Sequence, residues 1–331
     1  MRKLLGKLLV FALAATLVLV LAAYVWLQRP LALDGDAAEF TIAPGSGARQ
    51  VAEQMAQSGV QTSPTLLYAW FRLSGQSRQI RAGTYEVDHQ TTPVTVLDKL
   101  VRGEESLRSL TLVEGWTFAQ VREALRRADK LQPLTQDMAP DEIMRQLGRP
   151  GVHPEGRFFP DTYRYARNTT DLVLLGQAAA AMDRELQQAW AARSAQSTLR
   201  SADEALILAS IVEKETGAAQ DRPMIASVFS NRLRIGMRLQ TDPTVIYGMG
   251  ARFDGNLRRV DLERDTPWNT YTRAGLPPTP IAMPGRESLL AAVQPARSNA
   301  LYFVARGDGS SQFSATLQEH NLAVNKYQRG Q

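Results

Sequence analysis

An uncharged run from Leu8 to Leu27 follows Arg2, Lys3 and Lys7 and is closed by Arg29-Pro30. A helix needs about 20 consecutive apolar residues to cross a bilayer, so this run constrains the chain more than any other segment. A secretory signal has a shorter apolar core, about 7–15 residues, and ends at small residues. Here the run ends in Tyr24, Val25, Trp26 and Leu27, a poor cleavage site and a good interfacial aromatic belt. We read residues 1–30 as a cytoplasmic tip and a retained transmembrane anchor. The basic residues before the run place the N-terminus in the cytoplasm and everything after Leu31 outside. No second run of comparable length follows, so a single crossing is expected.

The 331 residues suffice for about two domains beyond an anchor. There is no cysteine, which excludes a disulfide framework and a thiolate metal site. His89, His153 and His320 lie far apart, none at a zinc-hydrolase spacing, so no metal and no cofactor are expected. The net charge of +5 is spread along the chain, with no basic stripe interleaved with aromatics, which argues against nucleic acid. A polyanionic or lipid-proximal partner stays compatible.

After the polar linker Asp34-Gly35-Asp36, one pattern occurs three times. Phe40-Thr41-Ile42 precedes a helical stretch from Ala48 to Met55, Tyr85-Glu86-Val87 precedes Val96 to Leu100, and Leu110 to Gly115 precedes Phe118 to Leu125. Each reads as a short alternating strand, a turn and an amphipathic helix. The pattern over residues 36–106 resembles a LysM-like module, a binder of N-acetyl sugars. Strand-helix units of this kind also serve as plain scaffolding. The fold class is α+β: a single N-terminal transmembrane helix, this small module, and a larger mixed domain over residues 107–331.

The densest aromatic cluster runs from Glu155 through Phe158, Phe159 and Tyr163 to Tyr165. Rings among charges suit a sugar-binding wall, because apolar pyranose faces pack on them. The alternative is that the phenylalanines are core and only the tyrosines show. Helices are expected from Asn168-Thr169-Thr170-Asp171 toward Arg193, from near Ser201, from Asp221 with Pro223 in its first turn, and over Ala315 to Gln328. Beyond Gly236 the chain reads as loops and short strands.

The helix beginning near Ser201 is almost wholly apolar through Leu206-Ile207-Leu208-Ala209-Ser210-Ile211-Val212, yet ends in Glu213-Lys214-Glu215-Thr216-Gly217. Acid groups there are costly unless something uses them. At about 100° per residue, Glu215 falls on the stripe of Leu208 and Ile211, and Glu213 falls about 200° away beside Ser210 and Leu206. The two acids cannot share one site. Branched apolar neighbours and the negative end of the helix dipole both disfavour ionised Glu215 and raise its pKa. A carboxyl held protonated near neutral pH is what a general acid needs to protonate a glycosidic oxygen. The bland alternative pairs Glu215 with Arg232 or Arg234. Glu213 reads as a structural or supporting group.

Downstream, Gln240-Thr241-Asp242-Pro243, Trp268-Asn269-Thr270-Tyr271, Gly275-Leu276-Pro277-Pro278 and the loop Ile281 to Gly285 supply polar and aromatic side chains fixed by prolines, as a cleft wall would. These segments, with Glu155 to Tyr163, Ala209 to Thr216 and Asn231 to Gly248, resemble the endolytic murein transglycosylase (MltG, YceG-like) family over nearly everything after the anchor. The resemblance implies a lyase of the bacterial inner membrane, its catalytic domain periplasmic. It would cut nascent peptidoglycan strands internally, leave a 1,6-anhydro-muramyl end, and meet peptidoglycan synthases in the membrane. It implies that Glu215 is catalytic, with Gln240, Asp242, Asn269 and Tyr271 as substrate-positioning groups. Trp268 and Met283 depart from the family pattern. Two other functions fit the residues: a lysozyme-type hydrolase with Asp242 as second carboxylate, and a non-catalytic glycan-binding scaffold.

Overall fold

The computed structural model describes residues 2–215 and 219–329. The sequence-predicted helix stop at Thr216-Gly217 lies outside the described residues. The chain divides into two units, residues 1–108 and 109–331.

The first unit begins with α1 (Arg2–Gln28). Its apolar part, residues 6–28, is long and apolar enough to cross a membrane. Its 23 residues span about 34 Å at about 1.5 Å per residue, against a hydrocarbon core of about 30 Å. There follow β1 (Ala32–Leu33), β2 (Ala37–Ile42), α2 (Ala48–Gln57), β3 (Val60–Gln61), α3 (Pro64–Leu73), β4 (Gly83–Asp88) and α4 (Pro93–Arg102). Strands β2 and β4 pair antiparallel with Phe40 opposite Tyr85. Their alternation drives every second side chain inward, where Phe40, Ile42, Tyr85 and Val87 meet Val51, Met55, Leu67, Phe71 and Leu97. Thr92 caps α4, its hydroxyl accepting from the Thr95 amide at 3.2 Å, and Gly103 ends it in the left-handed conformation that glycine tolerates. Two of the three expected strand-helix pairs, β2–α2 and β4–α4, lie in this unit. The intervening α3 was not foreseen.

The second unit contains β5 (Arg108–Thr111), α5 (Phe118–Arg127), α6 (Pro140–Gln146), β6 (Thr162–Tyr165), α7 (Asp171–Ala191), α8 (Ala202–Glu215), α9 (Arg222–Arg234), α10 (Asp242–Met249), α11 (Arg259–Glu263), α12 (Arg286–Val293), β7 (Tyr302–Ala305), β8 (Ser311–Ser314) and α13 (Leu317–Gln328). Strand β5 pairs with β6, and β7 with β8 as a hairpin. The helix α8 is surrounded by α7, α9, α10 and α12. Leu206, Leu208, Ile211 and Val212 are fully buried, each stabilising the unit by about 1.5–3 kcal/mol. A stretch as apolar as Leu206 to Val212 marks a core helix by its composition.

Beyond Gly236 the chain is mostly loop with two short strands, as expected, but it also carries the short helices α10, α11 and α12. Two sequence expectations need correction. The 155–165 cluster is core and not a sugar wall: Phe158 and Tyr165 are buried, and the Tyr163 and Tyr165 hydroxyls donate inward to the Phe159 and Asp129 carbonyls at 2.7 and 2.8 Å. The loop Ile281 to Gly285 is not a polar wall either. Ile281, Ala282 and Met283 are buried, and the Met283 amide donates to the Trp116 carbonyl at 2.7 Å while the Ile281 amide donates to the Ser210 hydroxyl at 3.0 Å.

Candidate active site

The end of α8 delivers three consecutive side chains to three places. Glu213, nearly enclosed, accepts from the Gly285 amide at 2.9 Å and lies 3.6 Å from the Arg222 guanidinium. Lys214 donates to the Gly115 carbonyl at 3.3 Å. Glu215 opens onto a groove of about 700 Å³. The two acids therefore part company as the helical projection requires, and Glu213 holds the start of α12.

Glu215 accepts a hydrogen bond on Oε1 from the Thr241 hydroxyl. Among the described residues it makes no ion pair. The expected alternative partners are occupied elsewhere. Arg232 is buried and spends its Nε on the Leu301 carbonyl and one terminal nitrogen on the Leu239 carbonyl, both at 2.7 Å. Arg234 donates to the Asn231 side chain at 2.9 Å. Burial raises the Glu215 pKa, and the nearby Asp242 charge raises it further. The Thr241 bond and the positive charge of Arg232 pull the other way without reversing the sign.

Thr241 is itself held rigidly. Its amide donates to the Thr270 hydroxyl at 3.1 Å, and the Thr244 hydroxyl donates to the Thr241 carbonyl at 2.7 Å while also lying 2.8 Å from that of Thr270. All three threonines are buried. Just before them Gln240 is exposed with φ of 49°, a left-handed conformation that costs a non-glycine residue about 1 kcal/mol or more. That kink turns the chain from Leu239, buried in the core, to Thr241 beneath Glu215.

Across the groove the Tyr271 hydroxyl donates to Asp242 Oδ1 at 2.5 Å. Burial and the Asp242 carboxylate both push the Tyr271 pKa up, so this phenol stays a donor. Glu215, Gln240, Asp242 and Tyr271 thus line one groove. Asn269 does not join them and corrects the expectation of a direct substrate contact. It has no exposed surface, its amide nitrogen donates to the Leu262 and Arg264 carbonyls at 2.9 and 2.7 Å, and its oxygen accepts from the Tyr271 amide at 2.8 Å. Every polar atom of that side chain is spent holding the loop that presents Tyr271.

The far wall comes from the hairpin β7–β8 and from α13. Tyr302 stacks on His320 with ring centroids 5.2 Å apart, and the Arg232 guanidinium sits 5.3 Å from the Tyr302 ring centre. Burial and Arg232 lower the His320 pKa, favouring the neutral ring. Sequence reasoning missed Thr241, Tyr302 and His320. Thr241 stood between two residues that were singled out, and the other two had no pattern to mark them.

The YceG-like family profile matches residues 40–326. An endolytic murein transglycosylase of Bacillus subtilis (strain 168) is 31% identical over 304 residues, covering 86% of this chain and 83% of that protein. An endolytic murein transglycosylase of Streptococcus pneumoniae serotype 2 (strain D39) is 26% identical over 321 residues, 86% of this chain and 57% of that one. A crystal structure of a YceG-like protein from Listeria monocytogenes superposes with a TM-score of 0.55 at 27% identity, covering 87% of this chain and 98% of that one.

Proposed function

The chain belongs to the YceG-like family, and on that premise we propose that it is an endolytic murein transglycosylase in which Glu215 performs the bond cleavage. The observation that carries this reading is a carboxyl in a groove, without an ion-pair partner among the described residues and with its pKa raised by burial. Such a group holds a proton where an ordinary glutamate has lost it.

Protonated Glu215 gives that proton to the oxygen linking N-acetylmuramic acid C1 to the next sugar. The C1–O bond breaks, and positive charge develops at C1. The substrate's own N-acetyl oxygen and the groove's dipoles stabilise that centre. Glu215, now a carboxylate, takes the proton from the C6 hydroxyl of the same muramic acid. The C6 oxygen bonds to C1 and closes the 1,6-anhydro ring. No water is consumed, and one carboxyl is first acid, then base.

Thr241 serves this cycle by fixing Oε1, which leaves the other oxygen to carry the moving proton into the groove. Asp242, tied to Tyr271, keeps negative charge beside Glu215 and so favours its protonated form. That engagement favours a positioning role for Asp242 over the nucleophile a lysozyme-type hydrolase would need. Gln240 and Tyr271 are the proposed contacts to sugar hydroxyl and N-acetyl groups. Asn269 and Glu213 act through the loops they hold.

The antiparallel pairing of β2 with β4, with α2 and α3 between them in the chain, supports reading residues 36–106 as a LysM-like glycan-binding module. The apolar α1 supports a single-pass anchor with residues 107–331 as a periplasmic catalytic domain, beside membrane peptidoglycan synthases. Glu215→Gln tests the chemistry. The variant keeps its circular-dichroism spectrum and releases no anhydro-muropeptides from purified sacculi by mass spectrometry. Undiminished release removes Glu215 from the mechanism.

A further inference from the structure

The elements that build the Glu215 groove border a second one. Asp242 of α10 lines the first, whereas Pro243, Ile246 and Tyr247 of the same helix line the second. At the end of α8, Glu215 faces the first and Lys214 the second. This second groove has a volume of about 910 Å³, and nothing in the proposed chemistry uses it.

Its wall is aromatic. Tyr247, Phe253 and Trp268 are all half-buried there. Tyr247 and Trp268 meet edge to face, with centroids 5.5 Å apart and planes at 65°. Their polar atoms are already satisfied: the Trp268 Nε1 donates to the Thr279 hydroxyl at 2.9 Å, and the Tyr247 hydroxyl is bonded to Glu155. The rings are therefore oriented before any ligand arrives, and what they offer is ring surface. Glu155 at the base is committed to the fold, since both its oxygens accept from the Phe118 amide, at 2.9 and 3.2 Å. Lys214 is the one cation lining this groove among the described residues.

We propose that this groove seats the murein glycan beyond the linkage that Glu215 cuts, taking N-acetylated sugar rings against Tyr247, Phe253 and Trp268. The inference rests on the proposed function and deepens it. An enzyme that cuts inside a strand must hold polymer on both sides of the break, and this groove and the cleaving one take wall residues from the same two helices, α8 and α10. Oriented rings with few charges fit the apolar faces of neutral sugars. They offer little to the charged ends of a peptide, which separates glycan from peptide stem as the occupant.

The test uses the full-length Glu215→Gln chain in detergent, which binds without cutting, and peptide-free chito-oligosaccharides as probes. Because the sequence has no cysteine, Ala251→Cys supplies a unique attachment point for a nitroxide at the groove's exposed rim. The label is expected to broaden the N-acetyl proton signals of the bound probe. Phe253→Ala and Trp268→Ala are each expected to weaken probe binding by about five- to tenfold. No broadening, affinity unchanged by both substitutions, or binding only of peptide-bearing fragments overturns the proposal. Anhydro-product formation by the unsubstituted chain is scored separately; its absence sinks the proposed function whatever the label reports.

Discussion

Replacing Glu155 by Gln should change how stability responds to pH. The carboxyl is 3% exposed, and burial lifts its pKa from 4.5 to about 7 although bonds from Phe118, Tyr247 and Gly156 oppose the rise. Between those two values the folded chain keeps a proton that the unfolded chain has released. Folding stability from this group is therefore fully present below about pH 4.5 and is lost as pH climbs through about 7. The displacement is about 2.5 pH units at about 1.4 kcal/mol each, so the loss is roughly 3 kcal/mol. Gln still accepts from the Phe118 amide and cannot ionise. In urea unfolding followed by tryptophan fluorescence, the stability of Glu155→Gln relative to the unsubstituted chain should rise by roughly 3 kcal/mol between pH 4.5 and pH 8. A difference that stays constant across that range refutes the claim that Glu155 is buried as a titrating group.

Thr241→Val removes a bond that holds the Glu215 pKa down, so the alkaline limb of the kcat/KM profile should move to higher pH while kcat falls; Thr241→Ser should restore both, and an unmoved limb counts against the contact. Glu213→Gln should lower stability by about 1–3 kcal/mol yet still release anhydro ends, because its partners are Gly285 and Arg222; complete loss of release with a native spectrum would give Glu213 a chemical role. Asn269→Ala should destabilise the chain by about 2–3 kcal/mol as several backbone groups lose their partner. A raised KM with unchanged melting would instead mean that Asn269 touches substrate.

The length of its apolar run made α1 legible in the sequence, and periodicity and caps did the same for α7, α8, α9 and α13. The same rule put Glu215 and Glu213 on separate faces, because that depends only on the turn of one helix. The groove around Glu215 is assembled from afar: Thr241 lies 26 residues on, and Tyr302 and His320 come from elements beyond α12. Residue type misled at Asn269. A polar side chain beside a tyrosine looks like a ligand contact, but a loop that turns inside a core must satisfy its own carbonyls first. It misled again at residues 155–165, where aromatics among charges turned out to be core with hydroxyls aimed at carbonyls. The short helices α10 to α12 lack the length for a clear period, and packing settles them: α10 against α8 and α11, and α12 against α7, α8 and α9.

The close of α8 behaves like an indexed coupling. Three neighbouring side chains, advancing about 100° apiece, fasten the start of α12, border the second groove and supply the proposed acid. Slipping this terminus by a single position would hand the acid's post to lysine and leave Gly285 without its clasp. The tail of this helix can therefore be altered only as a set, and any redesign of its chemistry must start by rebuilding the register that serves all three duties at once.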